Sequence, residues 1–413
     1  MDVLKSVCVL LLLGTCCIPL PSHAEIEVNG VHAALACADC HVLGEADGAL
    51  SASAGGAPGC SKCHAGMEQI FAHSMAQRGA EKAFCARSYA QADPEFFSTN
   101  CMGCHVDNCL NCHGEDGHAI KRPNTEDCLQ CHNGYFVGWD YMGRAPRDDH
   151  ARYQRGPLAN GEHYLKMRPD VHAEAGMTCG ACHSMQSLSR GEMASKTCTD
   201  CHTPDLEVIE HSVSAHLERM TCTACHAGWS AQEYGTFYIH TKNSSNAEIF
   251  TVQQPSENYR KSAYLKRHDS PILGVNAAGK VSPIRPQFIA YYSAMQDNKP
   301  VGEENRLLAA EWKAYTPHTI QRGGPMCDAC HADARRFVLQ DDERRIYRPD
   351  LDGLQLRGFW NQTGQTVRNG RFYSPAEFEQ LQHKGPDFTR RYIQKWQQFL
   401  HPDAALSQPL SAQ

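Results

Sequence analysis

The pattern Cys-x-x-Cys-His occurs nine times in 413 residues. The sites are Cys37, Cys40 and His41; Cys60, Cys63 and His64; Cys101, Cys104 and His105; Cys109, Cys112 and His113; Cys128, Cys131 and His132; Cys179, Cys182 and His183; Cys198, Cys201 and His202; Cys222, Cys225 and His226; and Cys327, Cys330 and His331. Two thiols three residues apart lie on one side of a helical turn, where both can form thioethers to the vinyl groups of one haem. The histidine after the second thiol then reaches the iron as its first axial ligand. The cysteine and histidine content predicts roughly 0.06 chance matches, so nine are not accidental. A zinc knuckle or a redox disulfide also uses Cys-x-x-Cys, but neither needs a histidine after every second cysteine. Nine pairs also cannot all be matched in twos to build four-ligand cages. The pattern therefore reads as nine c-type haems.

The sixth position of each iron separates conduction from catalysis. Of 23 histidines, nine are in motifs and His23 falls in an N-terminal leader, which leaves His32, His73, His118, His150, His163, His172, His211, His216, His240, His268, His318, His383 and His401. That number permits histidine on both sides of every iron. His32, His172, His216 and His318 each precede a motif by 5 to 9 residues and can ligate its haem or a neighbouring one. His118, His163, His211 and His240 are the next candidates, and His73 and His150 complete the distal set. His383 and His401 read as ordinary histidines. A methionine, a lysine or an open position would mark a different potential or a reaction centre. Met177 and Lys166 near the sixth motif read as structural, although Lys166 remains a candidate proton donor. Cys85 is the one cysteine outside both motifs and leader. It has three readings: an inert buried residue, a link to another chain, or a thiol that handles sulfur or selenium oxyanions.

Around these residues, Lys5, the apolar run Val7 to Leu13 and Ser22-His23-Ala24 read as a signal peptide over 1–24, which predicts export to the periplasm, with an extracellular or outer-membrane position as the alternative. The rival is a lipid anchor at Cys16, preceded by Leu13-Gly14-Thr15. The formal charge is −7 before any haem propionates are added. That argues against nucleic acid and suits a redox partner with a positive docking face, although an acidic solvated surface gives the same number. With 42% hydrophobic residues and a mean hydropathy of −0.49, side chains alone make modest cores, and porphyrins must supply the rest. The expected fold is a multihaem cytochrome c of mainly short α-helices and irregular loops around a haem core, with a small β-containing haem-free insertion.

The motifs divide the chain into an eight-haem segment (25–227), a haem-free insertion (228–321), and a ninth haem with a helical tail (322–413). Ser51 to Pro58 reads as a linker. Four residue steps from His105 to Cys109 span at most about 14 Å, so those two haems must be neighbours. Within the insertion, Ile249 to Val252, Ile272 to Val275 and Phe288 to Tyr292 read as short strands, with a hairpin turn at Asn276 to Gly279. The insertion is expected to be a flap over haem edges or a docking surface for a membrane protein. Phe378, Leu381, Phe388, Tyr392 and Trp396 recur at helical spacing, interrupted at Gly385-Pro386.

The segment from His172 through Cys179 and Cys182 to His183 resembles the units of the octahaem tetrathionate reductase and hydroxylamine oxidoreductase group. The resemblance implies a bacterial periplasmic protein with mostly bis-histidine haems, one substrate-binding haem and small nitrogen or sulfur compounds as substrates. The chain departs from that group in having nine motifs rather than eight. Two functions are expected from these readings. The first is an electron carrier of anaerobic respiration, working with redox proteins of the periplasm or of the inner or outer membrane. The alternative is a terminal reductase of a small sulfur, selenium or nitrogen oxyanion.

Overall fold

The computed structural model describes residues 32–41, 57–91, 94–101, 106–114, 119–129, 132, 140–142, 155–159, 162–166, 170–240, 253–256, 259–292, 295–296, 299–300, 302–303, 306–340 and 366–401. The leader over 1–24, Cys104, His105, His118, Cys131, His150 and the strand at 249–252 lie outside these residues.

Fourteen α-helices occur among the described residues: α1 (Cys37–Cys40), α2 (Ala57–Cys60), α3 (Ser74–Gln77), α4 (Gly79–Arg87), α5 (Phe96–Cys101), α6 (Leu110–His113), α7 (Thr125–Leu129), α8 (Val171–Glu174), α9 (Met185–Ser189), α10 (Ser214–Arg219), α11 (Cys222–His226), α12 (Asp328–His331), α13 (Pro375–Gln382) and α14 (Pro386–Leu400). The strands are β1 (Asp140–Met142), β2 (Arg155–Ala159), β3 (Glu162–Lys166), β4 (Trp229–His240), β5 (Gln253–Ser256), β6 (Tyr259–Asp269), β7 (Leu273–Asn276), β8 (Val281–Tyr292), β9 (Met295–Gln296), β10 (Lys299–Pro300), β11 (Arg306–Ala314), β12 (Thr366–Arg368) and β13 (Gly370–Arg371). The chain separates into two units, one of residues 1–60 with 108–122 and one of residues 61–107 with 123–413. The first holds α1, α2 and α6; the second holds all four sheets.

Most helices are a turn or two long, because a Cys-x-x-Cys-His turn needs no more to present its side chains. The tail is the exception. Ser374 caps α13 and exchanges hydrogen bonds with Glu377, with Pro375 in the first turn. Gly385 stays extended before Pro386, which cannot follow a helical residue comfortably, so α13 ends there and the 15-residue α14 begins.

The β content exceeds what the sequence pattern suggests. β4 and β8 run 12 residues each, and β1 to β3 form a sheet inside the segment read as haem-bearing. The expected hairpin is present: β7 and β8 pair antiparallel around a turn in which Asn276 Oδ1 accepts from the amides of Ala278 and Lys280. A five-stranded sheet in the order β12-β11-β8-β7-β13 nearly closes into a barrel, because β12 and β13 are successive pieces of chain on its two edges. It therefore draws residues 366–371 of the tail into what reads as an insertion ending at 321. Gly274 makes closure possible, since a Cβ there would stand 2.8 Å from the Arg371 carbonyl oxygen and 2.9 Å from Ile284.

Trp229, Trp312, Ile272, Leu273 and Ile284 are buried in and beside these sheets. Phe84, Cys85, Tyr89, Phe96 and Ala290 form one core cluster, and Ala224, Leu273, Phe337 and Phe378 another. Each large side chain so buried contributes about 1.5–3 kcal/mol. Among the described residues no helix is long and apolar enough to cross a membrane.

Candidate haem centres

Each motif in the second unit that is fully described occupies one tight turn. The amides of His183, His202 and His331 donate to the carbonyls of Cys179, Cys198 and Cys327 at 2.9 Å, and Cys222 to His226 form α11. This bond from the histidine back to the first cysteine brings both thiols and the imidazole to one side. The same turn recurs in the first unit, where the His113 amide donates to Cys109 at 3.1 Å. None of Cys179, Cys182, Cys198, Cys201, Cys222, Cys225, Cys327 and Cys330 is in a disulfide.

Opposite His183, His202, His226 and His331 stands a second histidine. Ring centres are 6.0 Å apart for His172 and His202, 6.2 Å for His183 and His318, 6.0 Å for His211 and His226, and 6.3 Å for His216 and His331. Two imidazoles bound to one iron from opposite sides, at about 2 Å each and about 1.1 Å from nitrogen to ring centre, put the centres about 6.2 Å apart. An axial bond leaves the ring free to rotate, so interplanar angles from 37° to 64° are compatible with it. The residues present fit a haem at each of these four places.

Hydrogen bonds at the far nitrogen fix several of these rings. His172 Nδ1 meets Asp170 Oδ1 at 3.0 Å. His211 Nδ1 meets the Asp205 carbonyl, and His216 Nδ1 the Glu210 carbonyl, each at 3.0 Å. His331 Nδ1 meets the Leu381 carbonyl at 2.7 Å, and in the first unit His113 Nδ1 meets the Lys121 carbonyl at 3.1 Å. A partner at Nδ1 selects the tautomer that offers Nε2 to a metal. Burial lowers the His318 and His331 pKa values, which favours the neutral imidazole that ligation requires.

The long insertion ends by bringing His318 opposite His183. Its two ends are joined beside the His226 motif: the Gly228 amide donates to the Thr319 carbonyl at 2.8 Å, the Gln321 amide to the His226 carbonyl at 2.9 Å, and the Thr319 hydroxyl to the Trp229 carbonyl. Asp170, 5% exposed, accepts the Ile320 amide at 2.7 Å on one oxygen and the His172 amide at 2.8 Å on the other.

Successive motifs also touch. Cys198 and Cys222 share a hydrogen bond that pulls the Cys222 thiol down to about 6 and pushes Cys198 up. Burial pushes Cys225 up to about 11, with Cys330 adding to it. His132 lies within electrostatic reach of both His183 and His318. In the first unit Cys109 is pushed up to about 11 by burial and by a contact with Cys60.

Of the remaining candidates, His73 packs against Gly191, and His163, Lys166 and His240 are placed by register alone, opposite Leu158, Asp140 and Tyr259. His383 and His401 follow α13 and α14 at the surface. Cys85 is buried on α4 among Phe84, Tyr89 and Phe96. Three of the histidines that precede a motif do not face the motif that follows them, since His172 faces His202, His216 faces His331 and His318 faces His183, whereas His211 does face the next motif, at His226. Sequence reasoning did not find Asp170 or the carbonyls that hold the rings; Asp170-Val171-His172 could have been read as a helix cap.

No curated protein and no solved structure matches this chain. A family model described as cytochrome c3 matches residues 171–241, which contain three of the motifs and also His172, His211 and His216. That stretch includes the segment on which the octahaem resemblance rests. Residues 171–241 are thus a cytochrome c3 domain, a multihaem c-type unit whose family implies electron transfer.

Proposed function

We propose that this protein carries nine c-type haems and moves electrons along them as an exported carrier in anaerobic respiration. The observation that carries the reading is the set of four facing histidine pairs at 6.0–6.3 Å. Haem bound there supplies one-electron chemistry between ferric and ferrous iron. The chain's own part is to hold two imidazoles on each iron, so that neither site need change its ligands when its charge changes. Contacts between Cys198 and Cys222, and between Arg336 and both the Cys222 and Cys327 motifs, support a continuous row in the second unit. Partners would be redox proteins of the periplasm or its membranes, met through an acidic surface.

The oxyanion reductase reading has no comparable support. Cys85 sits in an apolar cluster, which suits packing.

Holoprotein purified from a host that matures exported c-type cytochromes tests the proposal. A pyridine haemochrome assay is expected to give nine haems per chain, and electron paramagnetic resonance of the oxidised protein only low-spin iron. A high-spin haem that binds nitrite or cyanide would sink the pure carrier, and recovery in a lysate fraction other than the exported one would remove the location.

A further inference from the structure

Arg336 is 3% exposed, and its guanidinium bridges two haem-attachment turns. Nη1 donates to Cys330 Sγ at 3.0 Å, Nη2 to the Ala224 carbonyl at 2.7 Å and Nε to the Pro271 carbonyl at 3.2 Å. Ala224 lies between Cys222 and Cys225, and Cys330 is the second thiol of the Cys327 motif; bound to haem, that sulfur would be a thioether and still an acceptor. Among the described residues none of these three acceptors carries a charge. Among the described residues, the two carboxylates that act on the same cysteines as Arg336 are engaged elsewhere, Asp333 with Arg335 and Glu210 with Lys395. A full positive charge therefore sits out of water against two haem sites, where screening is weak.

We infer that Arg336 is a tuning residue that raises the reduction potential of the two haems attached at Cys222/Cys225 and Cys327/Cys330, making that pair the electron sink of the row. Each of these haems takes one electron on going from ferric to ferrous, and its net charge falls by one while the guanidinium stays protonated throughout. A fixed positive charge nearby stabilises the reduced side of that balance. The inference rests on the carrier function proposed above, since it needs haem at both motifs.

The test is a spectroelectrochemical titration of the holoprotein with dithionite as reductant. In Arg336→Gln, two components are expected to titrate lower, with the reduced-to-oxidised ratio at fixed potential falling about tenfold, equal to about 59 mV for a one-electron couple. The other components stay in place, and Arg336→Lys recovers the shift even where it loses thermal stability. A Gln variant that keeps every haem low-spin and moves no potential overturns the inference and leaves the carrier function standing. If the Gln variant loses haem, the wild type decides: nuclear magnetic resonance signals assigned through Phe388, 4.9 Å from the His331 ring, should show the Cys327 haem among the first reduced, and late reduction overturns the inference. A wild-type protein lacking haem at either motif would remove the carrier reading as well.

Discussion

One buried carboxylate, Asp170, organises two histidines that face different motifs. It accepts from the amide and Nδ1 of His172, which faces His202, and from the amide of Ile320, two residues after His318, which faces His183. Asp170→Ala leaves those part-buried donors without their acceptor, so stability should fall by about 1–3 kcal/mol in a denaturant titration. A high-spin component from both haems should accompany that loss, because neither distal ring is then held. His318→Ala is expected to act more narrowly, converting one haem to high spin in the resonance spectrum and leaving the rest low-spin. A spectrum unchanged by His318→Ala would show that the His183 iron finds its second ligand elsewhere.

Among the elements, α13 depends on its cap. Glu377 accepts from Arg371 and from Ser374, and these bonds, Arg371 first, hold its pKa down at about 2 against an ordinary 4.5. A carboxyl depressed in the folded state stabilises fully above its unfolded pKa and loses that contribution as pH falls through the folded one. Glu377→Gln should therefore cost about 1 kcal/mol at neutral pH, and the gap in Tm to the wild type should close between about pH 4.5 and pH 2. The tie between the Cys179 region and His73 depends on Gly191. Its φ is 69° and an added Cβ would stand 2.6 Å from His73 Nδ1. Gly191→Ala should cost about 1–3 kcal/mol, read as an earlier thermal transition. The sequence shows α13, α14 and the hairpin at Asn276, since each is set by residues a few positions apart. It does not show β12 and β13, because Thr366 to Arg371 have no marked alternation and gain their place only by pairing with β11 and β7.

In the molecule as a whole, haem attachment and folding should be inseparable in the second unit, because the four ring pairs join segments from His172 to His331. Replacing Cys198 and Cys201 together by Ser is expected to lower the haemochrome count by one and to shift the first thermal transition down, the link from His172 to His202 being lost; an unchanged count would mean that this motif is not loaded. The sequence alone marks the nine Cys-x-x-Cys-His turns, since one helical turn sets Cys179, Cys182 and His183 together without help from the rest of the chain. It also placed His172, His211, His216 and His318 among ten candidate distal histidines, but did not name their partners. Those were decided by tertiary structure: His318 lies nine residues before Cys327 and yet faces His183, because β8, β11 and the bonds around Thr319 and Ile320 return the chain to Asp170. The burial of Arg336 between two motifs was decided in the same way. A lone arginine has no sequence signature of the charge it places, because that depends on which carbonyls and sulfurs the folded backbone brings to it.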